Sequence, residues 1–558
     1  MLHRVRLAPV QLDTYREVAP ESQVEELAEL GRQLQGLRVA HINATPYGGG
    51  VSELLRSSVA LECGLGLAVD WLVISGDSRF FEVTKALHNG LQGASFVSTA
   101  DVEEIYLLNN RANAATIPSD YDIIVVHDPQ PAAIRAFAPR LGARWVWRCH
   151  IDTSEPDPAA EAFLLPWLES YDVLVFTLAD FVLPALRGRA VEIFPPGIDP
   201  LSPKNLPLPA SLCRRIVSWY GVDNQRPLMV QVSRFDPWKD PLGVIRVFRR
   251  AREQVPGLQL ALIGAMALDD PEGWRIYEQV RSQAEQDSDI LVGTNLTGIS
   301  FVEVNAFQHC AWVVVQKSRR EGFGLVVSEA LWKETPVVAG RSGGITLQMA
   351  DGEGGYLVDP DDEDTFTERV IELLQNRELA RRIGQLGRQR VRERFLVTRY
   401  VADELRLFAR LISTGQGIDT GGNGIVSMTS DREWLETIRK RLEQRREELV
   451  RQHQQGLRFL AAEGQSQADE GTVASHPADA ASDVTMAEYQ QTVLRTLEEE
   501  LHEVLLALDR IAEGRYGICV DCGRPIERER LEAVPWAARC IADQERFEKE
   551  LERQHRSS

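Results

Sequence analysis

The sequence predicts an α/β protein of two Rossmann-like halves facing a cleft, followed by an α-helical hairpin with a small finger-like end. Three observations carry the prediction. From Leu37 to about Tyr400, short apolar runs alternate with amphipathic stretches, the pattern of parallel strands joined by helices. The runs fall into two series in tandem. After Tyr400 the texture changes to a polar segment and long charged helices.

The first series of strands is expected at 37–44, 69–75, 121–127, 144–150, 173–178 and 191–196, and the second at 227–233, 258–264, 311–316 and 335–340. On periodicity alone, one large sheet is the competing arrangement. Residues 414–430 are rich in Gly, Ser and Thr and read as a linker. Beyond it, Leu494, Leu497, Leu501, Val504, Leu508 and Ile511 alternate three- and four-residue steps. That is a heptad seam, and Leu435, Ile438, Leu442 and Leu449 keep the same register, so a coiled-coil hairpin is expected. Between Arg458 and Arg495 there is no Lys or Arg, while Glu463, Asp469, Glu470, Asp479, Asp483 and Glu488 are acidic. Taken alone, such a stretch reads as a solvated loop.

Candidate chemistry clusters where strands give way to helices. Gly48, Gly49 and Gly50 follow the first strand, with a helix expected to open at Val51. Glycines there let backbone amides approach a phosphate, although a plain Gly-rich turn fits equally well. Arg234 and Lys239 lie just past a strand of the second series, where an open α/β sheet binds its ligands. Two cations at that place suit a diphosphate; the alternative is a surface pair. Glu321 is expected in a loop and Glu329 about a turn into the next helix, where carboxylates can accept from sugar and ribose hydroxyls. Ser342-Gly343-Gly344 offers a further helix start.

Taken together, Glu321 and Glu329 in EGFGLVVSEAL, Arg234 and Lys239 in VSRFDPWKDP, and GGGV resemble a retaining GT-B glycosyltransferase of family 4. The segments GGGVSELL, FFEVTKALHNGLQG, VVHDPQPAA, WRCHID, PPGIDPLSPKN, DDPEGW and REGFGLVVSEALWK are most similar to the trehalose glycosyl-transferring synthases, over about 5–412. Trehalose phosphorylases share several of them. The resemblance implies an N-terminal extension (1–36), an acceptor domain (37–205) and a nucleotide-sugar domain with closing helices (206–413). It implies that Arg234 and Lys239 hold the donor diphosphate, Glu321 the donor sugar and Glu329 the ribose, with Gly322, Phe323 and Gly324 beside them. His150 in WRCHID would touch the reacting glucose and Asp128 in HDPQ would orient an acceptor hydroxyl; without the resemblance, His150 reads as a structural histidine. No D-x-D motif stands beside the donor site, so no catalytic metal is expected. Asp269-Asp270 and Asp359–Asp364 read as loop and helix-start residues.

Near the end, Cys519-x2-Cys522 and, after 17 intervening residues, Cys540 have zinc-ribbon spacing, with Asp543 where a fourth cysteine would complete the set. GRYGICVDCGRPIERERLEAVPWAARC and HPADAASD resemble the DksA/TraR zinc-finger family over about 431–548. That resemblance implies a structural zinc on Cys519, Cys522, Cys540 and Asp543. It also implies an acidic hairpin tip able to enter the secondary channel of RNA polymerase. Self-association through the hairpin, or docking on the transferase, are the alternatives.

Composition bounds the rest. At 558 residues several domains are expected, and 44% hydrophobic with 26% charged residues is a globular balance. With 62 basic against 82 acidic residues the net charge is −20, which excludes a protein that coats nucleic acid. The N-terminus lacks an apolar signal core and no run of about 18 apolar residues occurs, so a cytoplasmic protein off the membrane is expected. The expected activity is transfer of glucose from a nucleoside-diphosphate glucose to glucose, forming or reversibly cleaving trehalose. The alternatives are a phosphorylase or another family 4 transferase and, from another class, a regulator that binds RNA polymerase.

Overall fold

The computed structural model describes residues 2–46, 49–138, 141–266, 271–285, 287–413, 438–445 and a discontinuous set between 504 and 546. They belong to two units, Met1–Ile418 and Asp419–Ser558.

In the first unit, one sheet comprises β1 (His3–Val5), β2 (Arg38–Asn43), β3 (Ala68–Val73), β4 (Ile123–His127), β5 (Arg144–Arg148), β6 (Val173–Phe176) and β7 (Val191–Ile193). Its order is β1-β3-β2-β4-β5-β6-β7, with only β1 antiparallel to its neighbour. The second sheet holds β8 (Leu228–Val232), β9 (Gln259–Gly264), β10 (Ile290–Thr294), β11 (Val313–Gln316), β12 (Val337–Gly340), β13 (Ala350–Asp351) and β14 (Gly354–Val358). It is parallel throughout, in the order β10-β9-β8-β11-β12-β14-β13. Two separate sheets remove the single-sheet alternative. Their central strands read as unbroken apolar runs because helices cover both faces; every residue of β4, β8 and β11 is buried. Strand order reverses between β2 and β4 and again between β8 and β11, and the loops leaving those strands line the crevice in each half.

Two segments sit elsewhere than the sequence suggests. Residues 1–36, expected as an extension, supply β1 and the helix Glu21–Gln33. The helix Val397–Ser413, grouped with the second half, packs on Glu21–Gln33 and on the helix Gly50–Gly64 of the first. Its apolar face explains the crossing: Val397, Tyr400, Val401, Leu405 and Phe408 are all buried in one core that also takes in Val39 and Val230. The amide of Ile198 donates to the Phe395 carbonyl and that of Val397 to the Ile198 carbonyl, both at 2.8 Å, which fixes the chain where it returns. Thr398 Oγ1 donates to Gln23 Oε1 at 2.9 Å, and Gln23 Nε2 to the Glu393 carbonyl at 2.8 Å.

In the second unit, Ile438 and Leu442 are buried with Val504 and Ala507. Seam positions 435, 449, 494, 497 and 501, the linker 414–430 and the acidic stretch 463–488 lie outside the described residues. A short helix, Arg528–Ala533, and the buried side chains of Cys519, Ile526, Leu531 and Ala537 build the finger end. Among the described residues no helix is long and apolar enough to cross a membrane.

Phe408 is fully buried on the returning helix. Phe408→Ala is expected to cost about 3–5 kcal/mol, read as a lowered denaturant midpoint of the first unit's transition. A change below about 1 kcal/mol would mean that this helix lies outside the shared core.

Candidate active site

The wall from the first half begins where β4 ends. Asp128 turns the chain in a left-handed conformation, φ 66°, which Asp tolerates better than bulkier residues. Its amide donates to the Arg148 carbonyl at 2.9 Å and its carbonyl accepts from Trp147 Nε1 at 2.9 Å. Asp128 Oδ1 accepts the His150 amide at 2.8 Å, so the acid holds the histidine's backbone in place. Burial pushes the Asp128 carboxyl up to about 7, against the pull of that amide. The His150 ring is half-buried, its Nε2 is 2.9 Å from His127 Nδ1, and burial holds its pKa well below the usual value. Of the glycine turn, Gly48 lies outside the described residues. The helix starts at Gly50, one residue earlier than expected, behind an extended Gly49 whose carbonyl accepts from Ser52 Oγ at 2.8 Å.

The facing wall comes from the loops after β8 and β11. Asp236 caps the short turn Pro237–Lys239 by accepting from the Trp238 amide at 2.8 Å. That turn delivers Lys239 Nζ to 2.7 Å from Glu321 Oε2, and Ser318 Oγ donates to the same oxygen at 3.3 Å. Arg234 is 45% exposed, with Nη2 3.5 Å from Asp236 Oδ2. Gly324, at φ +81°, caps the helix Leu325–Trp332, where Glu329 is buried. Glu329 Oε1 lies 3.4 Å from Lys204 Nζ, which also holds both Glu53 oxygens at 2.9 and 3.0 Å. Burial opposes the charge on Lys204, but the Glu329 and Glu53 carboxylates outweigh it and raise its pKa. Glu329 Oε2 is buried without a partner, and a cavity lined by Glu53, Lys204, Phe301, Leu325 and Glu329 opens beside it.

The halves meet at glycines. A Cβ on Gly322 would overlap the His150 carbonyl oxygen, one on Gly343 the Glu321 carbonyl, and one on Gly344 the Gly322 carbonyl. A Cβ on Gly50 would lie 3.2 Å from Leu325. Arg320 Nη1 reaches across to Ser154 Oγ at 2.9 Å and pairs with Glu155. The structure therefore brings Asp128, His150, Lys239, Glu321 and Gly322 to one seam, with Gly49 and Gly50 near Leu325. Phe323, expected beside the substrate, is instead a core residue packed on Phe395, ring centroids 5.6 Å apart. Asp362 caps the helix Glu363–Gln375, so the acidic run 359–364 does start a helix; Asp269 and Asp270 lie outside the described residues.

Sequence reasoning passed over His88 and Lys317. Burial, with Arg234, Lys85 and Lys239 adding repulsion, pushes the His88 pKa down to about 3, so a neutral imidazole on the helix Ser78–Leu91 stands near the cations of the other half. The signal was its place in FFEVTKALHNGLQG. Lys317 is fully buried and pairs with Asp240, which also accepts from the Gly243 amide at 3.0 Å. No pattern in the sequence marks that pair.

In the second unit, ligand atoms of Cys519, Cys522, Cys540 and Asp543 lie within 4.8 Å of one another. The Cys522 and Cys540 sulfurs are 3.9 Å apart, and Asp543 Oδ2 is 3.2 and 3.0 Å from those of Cys519 and Cys540. Tetrahedral zinc with bonds of about 2.3 Å to sulfur needs sulfurs about 3.8 Å apart, so the four residues fit a structural zinc.

Gly322→Ala is expected to lower turnover about 10²-fold, because the added Cβ pushes the His150 and Gly322 backbones apart and a displacement near 1 Å at a reacting centre costs that much. Steady-state kinetics beside a melting curve tests this, and unaltered turnover would mean the two backbones need not touch during reaction.

The family model for the N-terminal domain of trehalose synthase matches residues 41–183, that for glycosyl transferases group 1 matches 218–390, and that for the prokaryotic dksA/traR C4-type zinc finger matches 514–549. The trehalose synthase of Rubrobacter xylanophilus is 48% identical over 417 residues, covering 74% of this chain and 100% of the relative. That of Pyrococcus horikoshii is 43% identical over 393 residues, 70% of this chain and 94% of the relative. Among solved structures, an α,α-trehalose-phosphate synthase (UDP-forming) from Burkholderia xenovorans in complex with glucose-6-phosphate matches with a TM-score of 0.54 at 17% identity, over 67% of this chain and 100% of that one. This last likeness shows the fold, the GT-B pairing of two α/β domains. A relative spanned from end to end at nearly half identity decides the family: the chain belongs to the trehalose synthases, glycosyltransferases of GT-B fold, and carries a DksA/TraR-type zinc finger near its C-terminal end.

Proposed function

We propose that the first unit transfers glucose, with retention, from a nucleoside-diphosphate glucose to free glucose, forming trehalose or cleaving it in reverse. The observation that supports this reading most is the juxtaposition of Lys239 and Glu321 with His150 and Asp128 across the seam where Gly322 meets the His150 backbone. As the bond from the sugar to the diphosphate breaks, negative charge grows on the departing phosphate. Arg234 and Lys239, fixed before the reaction, stabilise it; preorganised charge of this kind is usually the largest catalytic term. Glu321 accepts from donor hydroxyls while Gly322 and Gly324 let the backbone come close, and Phe323 anchors that loop from the core. The unpartnered Oε2 of Glu329 suits a ribose hydroxyl. Gly49 and Gly50, where the helix Gly50–Gly64 begins, offer amides to the donor from the other side. His150 contacts the reacting glucose and Asp128 orients the acceptor hydroxyl, whose proton leaves with the departing phosphate on the same face.

For the second unit, Cys519, Cys522, Cys540 and Asp543 hold a structural zinc. A regulator acting on RNA polymerase is the reading from another class. It rests on the zinc-finger match, the acidic segment it requires lies outside the described residues, and no described contact favours it.

Purified protein given ADP-, UDP- or GDP-glucose with glucose is expected to form trehalose, detected by chromatography. Product from glucose-1-phosphate and glucose alone would select a phosphorylase, and no disaccharide from any pair would sink the transferase reading. Separately, Lys239→Ala is expected to lower kcat about 10²–10³-fold in a protein that still folds. Near-normal kcat would reduce Lys239 to a surface cation.

A further inference from the structure

Behind His150 a line of buried side chains runs into the core, and the transfer mechanism uses none of them. His127 Nδ1 is 2.9 Å from His150 Nε2, and His127 Nε2 is 3.0 Å from His41 Nδ1. His41 Nε2 is 3.2 Å from Glu62 Oε2. The rings stack at 5.2 and 5.3 Å between centroids. His41, His127 and Glu62 are fully buried, whereas His150 is half-buried and its Nδ1 takes no hydrogen bond among the described residues. Glu404, from the helix that returns to the first half, faces Glu62; a ring nitrogen of His41 and one oxygen of each carboxyl lie within 4.8 Å of one another.

We propose that His41, His127 and His150 form a tautomer relay, through which the Glu62–Glu404 carboxyl pair decides whether His150 Nδ1 donates to the sugar or accepts from it. This rests on the reading above that His150 contacts the reacting glucose.

The relay follows from counting protons. Burial keeps all three imidazoles neutral by holding their pKa values down, so each carries one N–H. Suppose Glu62 is ionised. His41 Nε2–H donates to it, His127 Nε2–H donates to His41 Nδ1, and His150 Nε2–H donates to His127 Nδ1. His150 Nδ1 is then a bare lone pair. Suppose instead that Glu62 carries the proton. It donates to His41 Nε2, every bond in the line reverses, and His150 Nδ1–H becomes a donor. A mixed arrangement would set two N–H groups or two lone pairs against each other in the core, which costs the desolvation of an unmade bond.

The carboxyl pair is built to sit near that switch. Burial pushes both Glu62 and Glu404 up to about 8, and two adjacent buried carboxyls do not ionise together. Glu62 Oε1 and Glu404 Oε2 are buried without a donor, which a proton held between them would satisfy. The other groups facing the pair are few. Tyr400 donates its hydroxyl to Glu404 Oε1 at 3.1 Å. Arg148, on β5, lies over the Tyr400 and Phe194 rings at 5.9 and 4.9 Å and donates Nη1 to the Phe176 carbonyl at 3.1 Å. Its charge acts on Glu404 through space, as it does on Asp128 at the end of β4. Below the switch His150 donates to the sugar; above it, His150 accepts.

The test is 15N magic-angle-spinning NMR of the histidine-labelled full chain, with His150 and His127 assigned from His150→Gln and His127→Gln spectra. In the unaltered protein, the His150 proton is expected on Nδ1 near pH 6 and on Nε2 near pH 10, on either side of the pair. In Glu404→Gln, where Glu62 still faces His41 and still titrates, the switch should persist at a shifted pH; in Glu62→Gln the tautomer should no longer follow pH. The inflection of kcat/KM for glucose near the same pH should vanish with it. One tautomer throughout in the unaltered protein, a switch that persists in Glu62→Gln, a switch lost in Glu404→Gln, or a flat kcat/KM profile each overturns the proposal. The tautomer readout needs no sugar chemistry, so a relay that switches in a protein making no disaccharide would refute the transferase reading and leave the relay standing.

Discussion

The close passage of two backbones, His150 in one half and Gly322 in the other, is the constraint on which the site depends. No side-chain atom fits between them, so the loops leaving β4 and β5 and the loop leaving β11 are held at one separation. The same economy repeats behind the contact: Gly343 and Gly344 bring a third loop against Glu321 and Gly322, and Gly50 brings the glycine turn against Leu325. Arg320 ties the seam from the side through Ser154 and Glu155. Closing the halves to backbone contact excludes water, and charges placed there act in a lower dielectric than they would on a surface.

The fold was legible where the physics is local. A strand covered on both faces reads as an apolar run, which made β4, β6, β8, β9, β11 and β12 legible; β2, β3, β5 and β7 showed as shorter runs despite polar or exposed residues. By contrast β10, ILVGT, ends in Gly and Thr, and β14 opens with two glycines; neither stands out from a loop. Closing helices were expected at the end of the second half, but not that the last of them belongs to the first half. Its partners, Glu21–Gln33 and Gly50–Gly64, lie more than 300 residues away, and nothing in its own pattern names them. The site behaved likewise. Arg234, Lys239, Glu321 and Glu329 fall in short loops or helix starts beside strands, where glycine and charge coincide and spacing has meaning. His41 and Glu62 are single polar residues in apolar stretches, and Glu404 is one of several charged residues on a helix, next to Asp403. Only the packing of β2 against two distant helices makes them neighbours, so no window along the sequence could have found them.

Buried charge is handled in two ways, and the difference follows from what each group must do. Lys204 is matched by Glu53 and Glu329, and Lys317 by Asp240 and Glu363, so each ammonium is held between two carboxylates and pins loops from different elements together. Removing one partner of such a pair strands the other, which is why these pairs fix geometry more than they add stability. Around Glu62 and Glu404 the compensation is deliberately incomplete: two acids, three neutral imidazoles, a phenol, and one guanidinium whose hydrogen bonds go to a carbonyl and a hydroxyl. A matched pair would lock the protons. An under-compensated cluster leaves them transferable, and it does so where a hydrogen-bonded line leads out to His150.

The second unit meets the same problem with a metal-ligand set. Three thiols and a carboxyl converge in it, and Asp543 stands where the C4-type family model has its fourth cysteine. A carboxylate is a harder, smaller donor than a thiolate, with two oxygens that compete for one coordination position. Here the competition is resolved by Arg546, which pairs with Oδ1 and leaves Oδ2 directed at the Cys519 and Cys540 sulfurs. Arg524 donates to the Cys522 sulfur at 3.5 Å and offsets part of the negative charge that three thiolates and a carboxylate would bring to a divalent ion. The substitution therefore keeps the donor count and the tetrahedral spacing. It moves the burden of orientation from the ligand itself to an arginine one helical turn away, as outer partners do for metal ligands generally.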